Sequence, residues 1–363
     1  MSSLLYREDA DQVRDRLRRW WRGEDLGRPM LQLTAPLDQP VESVPALPRP
    51  PNVQCDHFTT LDMPYRLNVM ARACLNTAYF GEALPSATLS LGPSTLALYL
   101  GCRGVENADT TWFEPCIADP DQARFEFDPA NPYWIFQQEL IRQVRPWAQG
   151  RFLLDFPDFI EGLDILAAMR GAETLMLDLL ERPAWIQCAL TRTTELYFRY
   201  YDPVYELIKD ETGGAHWWVW APGRLAKLQC DYSAMISPDM FKEFMLPVLR
   251  AQTERLDYSM YHWDGPGALG HHDHLLSLPK LTMIQWTAGA GAESVFDRRW
   301  WPMYHKTIEA GKKLFIAEWN GLDTAAIRTL KREFGPQLNQ FLIAGPVNSA
   351  AKAAELIRVS VME

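Results

Sequence analysis

Two side chains able to ligate a metal or to work as an acid–base pair stand two residues apart, His262 and Asp264, in the run YHWDGPG (261–267). The apolar stretch 258–261 reads as a buried strand, and side chains at i and i+2 of a strand share a face. If the strand carries through 264, imidazole and carboxylate point the same way. They can then hold a metal between them, or act as general base and partner. The structural alternative is that Asp264 caps the helix opening near Gly267 and His262 packs against Trp263. Four of the seven histidines fall between 262 and 274, which concentrates imidazole chemistry in this stretch. His271, His272 and His274 sit on a helix predicted over 268–277, where a solvated face is the better reading.

Other candidates lie at the ends of predicted strands. Glu318, in IAEWN (316–320), follows the strand after Trp286, and in a barrel it reaches the same pocket as His262. His262, Asp264 and Glu318 make a set of two carboxylates and one imidazole suited to zinc or iron(II). The alternative for Glu318 is a bond to neighbouring loop amides. Asp155 ends the strand FLLD, either as a pocket carboxylate or as an anchor for the next loop. His216, Trp217, Trp218 and Trp220 form an aromatic cluster that suits a flat or cationic substrate group, or else an alternating strand. Trp286 is a candidate for the pocket floor. Cys230 is a weak nucleophile candidate, since a buried cysteine is more often a small hydrophobe. Arg28 and Arg66 are placed to grip a substrate carboxylate by position alone.

The elements that must position these groups alternate. Strands at 152–155, 225–231, 281–286, 314–317 and 340–343 are separated by helices at 164–169, 171–181, 183–209, 239–255, 299–310, 324–334 and 350–361. Ser237-Pro238-Asp239 has the form of an N-cap followed by proline. Upstream, a helix over 6–22 precedes a strand at 30–34, and a proline-rich stretch, 35–57, leads to a helix over 61–80. Short strand-like runs at 88–91 and 110–113 suit a lid. Strands alternating with helices imply parallel pairing. No GxGxxG or GxxxxGK[ST] run opens a helix, which weakens a nucleotide-binding reading. The expectation is an α/β chain folded as a (β/α)8 TIM barrel in one domain, 1–363. Residues 1–29 form an N-terminal helical extension, and 35–130 make irregular excursions and a lid over the barrel.

The formal charge of −10, from 36 basic and 46 acidic residues, disfavours nucleic acid or an anionic membrane surface as partner. No apolar run approaches the ~20 residues of a membrane span, and the charged N-terminus does not read as a secretory signal. Cys55, Cys74, Cys102, Cys116, Cys188 and Cys230 show no CxxC spacing and read as reduced thiols of a cytoplasmic protein.

FLLDFPDFIEGLDILAAMRGAETLMLDLLERPAWI (152–186), ISPDMFKEFMLPVL (236–249) and MYHWDGPGAL (260–269) resemble the uroporphyrinogen decarboxylase-like superfamily. That group holds the decarboxylase and the zinc methyltransferases that exchange methyl groups with corrinoid proteins. The resemblance is good over 150–363 and loose over 28–150. It implies a TIM barrel with its pocket at the strands' carboxyl ends, metal ligands at positions 262 and 264, an acidic pocket residue at Asp231, and dimerisation. Two departures shape the expected activity. The decarboxylase's arginine-bearing segment is replaced by MLQLTAPLDQP (30–40), so porphyrinogen decarboxylation is not expected. The methyltransferases' His-x-Cys pair and final-strand Cys are replaced by His262-x-Asp264 and by FLIAGPVNSAA (341–351). The resemblance therefore implies methyl transfer on a small molecule, metal- and corrinoid-linked. A metal-independent decarboxylase or lyase and a non-catalytic binding barrel are the alternatives.

Overall fold

The computed structural model describes residues 3–37, 39–51, 53–54, 61–107 and 110–362; Cys55 lies outside them. The strands are β1 (Met30–Pro36), β2 (Thr77–Gly81), β3 (Ser86–Thr88), β4 (Arg103–Glu106), β5 (Thr111–Glu114), β6 (Leu153–Asp155), β7 (Ala215–Trp217), β8 (Val219–Ala221), β9 (Leu225–Gln229), β10 (Tyr258–Asp264), β11 (Met283–Thr287), β12 (Lys313–Ala317) and β13 (Phe341–Pro346).

One sheet runs β2-β1-β13-β12-β11-β10-β9, parallel throughout except for β2. A second runs β3-β6-β7-β8, with β3, β6 and β7 parallel and β8 turning back. The fold is thus mixed α/β around parallel strands. Its helices follow the strands because each strand buries one face against them, and a parallel crossover needs a connecting helix. One contiguous core extends from Leu4 to Leu356.

Several segments depart from the sequence expectations for identifiable reasons. The helix expected over 61–80 stops at Ala73, and 77–81 becomes β2, which pairs with the free edge of β1. Gly81 makes this possible: its φ is +60°, and a Cβ there would stand 2.1 Å from the Leu31 carbonyl oxygen. The stretch 35–130 is more regular than expected. It holds helix Met63–Ala73, β2, β3, helix Thr95–Tyr99 and the β4–β5 hairpin. Its β3 belongs to the second sheet beside β6.

The alternating strand offered for the cluster 216–220 is a hairpin, β7–β8, that turns at Trp218 with φ +63°. The helix expected over 239–255 starts as expected, with Ser237 Oγ accepting from Met240 N at 3.2 Å. It then widens into a π turn at Phe241–Met245. Pro247, at the start of the helix Leu246–Thr253 that follows, has no N–H to bond back to residue 243, which removes one rung of the α ladder. The helix expected over 268–277 is a 3₁₀ turn, Pro266–His271, followed by helix His272–Leu276.

The N-terminal helix Ala10–Trp21 is integral to the core. Val13, Leu17 and Trp20 are buried, and Trp20 and Trp21 donate to the carbonyls of Asn339 and Trp220 at 2.7 and 2.9 Å. No helix among the described residues is long and apolar enough to cross a membrane.

Candidate active site

β10 runs unbroken to Asp264, so its alternation holds through the two residues of interest. Tyr261 and Trp263 are buried on one face. Trp263 there meets Trp286 at 5.1 Å and His272 at 4.7 Å between ring centroids. His262 and Asp264 share the other face. In register, His262 stands between Gln229 of β9 and Gln285 of β11. The Gln285 amide nitrogen donates to the Trp286 carbonyl at 2.9 Å and to Thr287 Oγ1 at 3.0 Å. Its oxygen is therefore turned to His262 Nδ1, with which it is hydrogen-bonded. That orientation makes Nδ1 the donor and leaves the Nε2 lone pair for a ligand. Burial first, then the charge of Lys227, holds His262 below its ordinary value, which favours the neutral imidazole a metal needs.

Ligand atoms of Asp231, His262 and Asp264 all lie within 4.8 Å of one another. Donors on one tetrahedral zinc stand roughly 3.3 Å apart, a spacing that falls inside that limit. Asp264 Oδ1 is buried and has no hydrogen-bond partner among the described residues, as an oxygen awaiting a cation would be. Burial, together with the charge of Asp231, pushes the Asp264 carboxyl up, and burial does the same to Asp231. Two crowded carboxylates beside a neutral imidazole fit a divalent cation, with zinc and iron(II) both compatible with the donor types.

Asp231 is held in place by a feature that the sequence reading missed. Asp158, Glu161 and Asp164 recur every third residue and meet β9 and its extension at every second. Asp158 pairs with Lys227 Nζ at 2.6 Å, Glu161 accepts from Gln229 N at 2.7 Å, and Asp164 accepts from Asp231 N and Tyr232 N at 2.8 Å each. Burial and the charge of Asp231 push Asp164 up to about 7. The signal was present as DxxExxD (158–164) facing KxQxD (227–231), two periods that match only once the segments are known to touch.

His262 opens onto a cavity of about 510 Å³ at the carboxyl-terminal halves of the parallel strands. Tyr79, Trp218, Phe315 and Trp319 give it aromatic walls, and Thr34, Ser86, Asp155, His216, Gln285 and Thr287 its polar groups. No lysine or arginine lines it among the described residues. Asp155 is hydrogen-bonded to His216 Nδ1 and accepts from Ser86 Oγ at 3.1 Å. A carboxylate on Nδ1 leaves Nε2 as a proton acceptor, the arrangement of a positioned general base. Trp218 meets His262 edge-on at 5.4 Å, and the buried Lys227 ammonium lies 4.9 Å from its ring centroid. The positive φ of Trp218 thus belongs to a residue wedged between a cation and the candidate ligand, where backbone strain commonly marks function.

Of the residues singled out from sequence, Asp155, His216, Trp218 and His262 line this cavity, and Asp231 and Asp264 join His262 at the trio. The others are placed elsewhere. Glu318 accepts from Ser294 Oγ at 2.7 Å and Asn320 N at 3.3 Å, the loop-anchoring alternative, and Asp231 is the carboxylate that lies with His262 and Asp264. Trp286 alternates to the face opposite Gln285, buried against Trp263 and Trp300. Trp220 is buried and donates to Asp210 Oδ2 at 2.8 Å. Cys230 alternates away from Gln229 and Asp231, and burial pushes its thiol far up. Arg66 is buried, donates to the Ser90 carbonyl at 2.5 Å, and lines a different cavity. Arg28 pairs with the buried carboxylate of Glu82 at 2.7 and 3.0 Å. His271 and His272 are buried rather than solvated, bonded to the Ser233 carbonyl and to Thr307 Oγ1 at 2.9 Å each.

No family model matches the chain, and no curated protein matches it by sequence. Among solved structures, the fold is similar to that of a methyltransferase from Methanosarcina mazei. The TM-score is 0.60 with 12% identity, over 96% of this chain and 98% of that one.

Proposed function

We propose that the chain is a methyltransferase acting on a small molecule, with a divalent cation held by Asp231, His262 and Asp264 at the edge of the cavity. The observation that carries this reading is the convergence of those three donors beside a roomy pocket, one of them with an orphaned buried oxygen. The fold likeness to a methyltransferase supports it at the level of architecture. When bound, the cation supplies Lewis acidity that lowers the pKa of a thiol, amine or hydroxyl. The chain's own residues do the rest. Gln285 keeps His262 in the ligating tautomer, and Asp164 fixes the turn that presents Asp231. Asp155 orients His216 so that its Nε2 can take the proton the substrate loses.

The aromatic walls exclude water and grip an apolar or cationic group. Without a basic residue in the lining, a polycarboxylate such as a porphyrinogen has no counter-charge there. Architecture completes the reading. This reading takes β1, β3, β6 and β9 to β13 as the eight strands of a closed barrel, with the β7–β8 hairpin inserted between β6 and β9. A corrinoid protein docking over the strands' carboxyl ends is the methyl carrier this reading implies.

The test is elemental analysis of the protein purified without chelator, with His262→Ala and Asp264→Asn beside the wild type. About one zinc or iron per chain is expected, falling at least tenfold in both variants. A wild type that stays empty after incubation with zinc and with iron(II) would overturn the metal site. The His216–Asp155 pair then favours metal-free acid–base decarboxylation or elimination.

A further inference from the structure

We propose that Cys102 and Cys116 form a reversible disulfide, a redox modification site that closes the base of the β4–β5 hairpin. Their sulfurs stand 3.6 Å apart. A disulfide needs about 2.05 Å, so the gap closes by a movement of roughly 1.5 Å. The juxtaposition is built. The ladder pairs Arg103 with Glu114 at its open end; Cys102 stands one residue before it and Cys116 two residues after, beyond Pro115, and the two sulfurs meet there. Cys116 N and Ile117 N both donate to the Met169 carbonyl at 2.8 Å, and Cys102 Sγ lies 3.5 Å from the Ala168 carbonyl oxygen. Both cysteines are therefore docked on the carboxyl end of helix Gly162–Arg170. No CxxC spacing announces the pair, because the hairpin rather than the local chain brings it together.

The two thiols are unlike, as attacking and resolving partners should be. Cys116 is exposed, and Cys102 is buried. The hydrogen bond from Cys102 holds the Cys116 thiol below its ordinary value, and the same bond with burial raises Cys102. With hydrogen peroxide as oxidant, the Cys116 thiolate attacks one peroxide oxygen. The O–O bond breaks, leaving Cys116 sulfenic acid and hydroxide, which takes the proton that Cys116 released. The Cys102 sulfur then attacks the Cys116 sulfur, the S–O bond breaks, and water departs with the proton of Cys102. Two thiols lose two electrons, and one peroxide becomes two waters. The bond replaces the Cys102 thiol contact to Ala168 with a covalent staple at one end of the helix whose Asp164 holds Asp231 at the other.

Reduced full-length protein would be treated with one equivalent of hydrogen peroxide, denatured, alkylated and digested with trypsin. Cleavage after Arg103 separates the two cysteines. The expected product is peptide 73–103 joined to 104–124, with alkylatable thiols falling from the six of the sequence to four and recovering in dithiothreitol. Cys116→Ser should leave Cys102 fully alkylated at the same dose. The proposal is overturned if Cys116 of the wild type proceeds to sulfinic acid with no joined peptide, or if Cys102 oxidises equally fast in Cys116→Ser.

Discussion

His272 shows at the scale of one residue how burial turns a titratable group into a stability term. It lies between Trp263 and Thr307, and burial first, then the charge of Lys306, lowers its pKa to about 4. An unfolded histidine titrates near 6.5. Between these values the unfolded chain binds more protons, so this contribution is complete above about pH 6.5 and is lost as pH falls toward 4. At pH 5 the loss is about 1–2 kcal/mol once solvent screening of a partly covered ring is allowed for. Urea unfolding at pH 7 and pH 5 should show that His272→Gln removes this part of the acid destabilisation; an unchanged difference between the two pH values would count against it. Glu82 is a buried charge of a different kind, one that is paired. Fully buried, it is held by Arg16, Arg28 and the Leu31 amide, which explains why an arginine placed for a substrate is spent on structure.

Among elements, β2 depends most on a single residue. Gly81 closes the β1–β2 pairing and places Tyr79 in the cavity wall, and an alanine there would carry both a left-handed φ and a clash with Leu31. Gly81→Ala should cost roughly 2–3 kcal/mol, read as a lower urea midpoint at unchanged slope. A neutral result would mean that the edge strand yields freely. The legibility of the elements follows the same physics. β10 was readable because its alternation continues through HWD, and the ISPDMF cap because Ser-Pro-Asp is local chemistry. β2 and the hairpin at Trp218 were not, since each is decided by a partner far away in sequence, and the π turn at Phe241–Met245 reflects a ladder rung lost at Pro247 inside a pattern that otherwise reads as one helix. The site divides the same way. His262 and Asp264 share one strand and could be paired by counting. The third member of the trio needed the spatial neighbour of β10, so Glu318 was grouped with His262 and Asp264 where the structure brings Asp231.

For the whole molecule, the informative region is the first 29 residues. They were expected as an extension, yet Trp20 and Trp21 reach the 3₁₀ turn before β13 and the middle of β8, two strands that lie in different sheets. Removing residues 1–29 should therefore abolish cooperative unfolding, not merely lower its midpoint. Far-ultraviolet and near-ultraviolet circular dichroism would separate the cases. Coincident, sharp transitions in the truncated chain would show the segment to be dispensable.

The placement of tryptophan has an optical consequence. Of the 14 indoles only Trp112, Trp218 and Trp319 are exposed, and the last two form cavity wall. Trp218 also sits against a fixed ammonium and an imidazole, both of which influence an excited indole. Red-edge emission from this protein therefore originates largely at the mouth of its own pocket. An entering molecule that displaces water from those two rings announces itself by colour and lifetime, with no label attached.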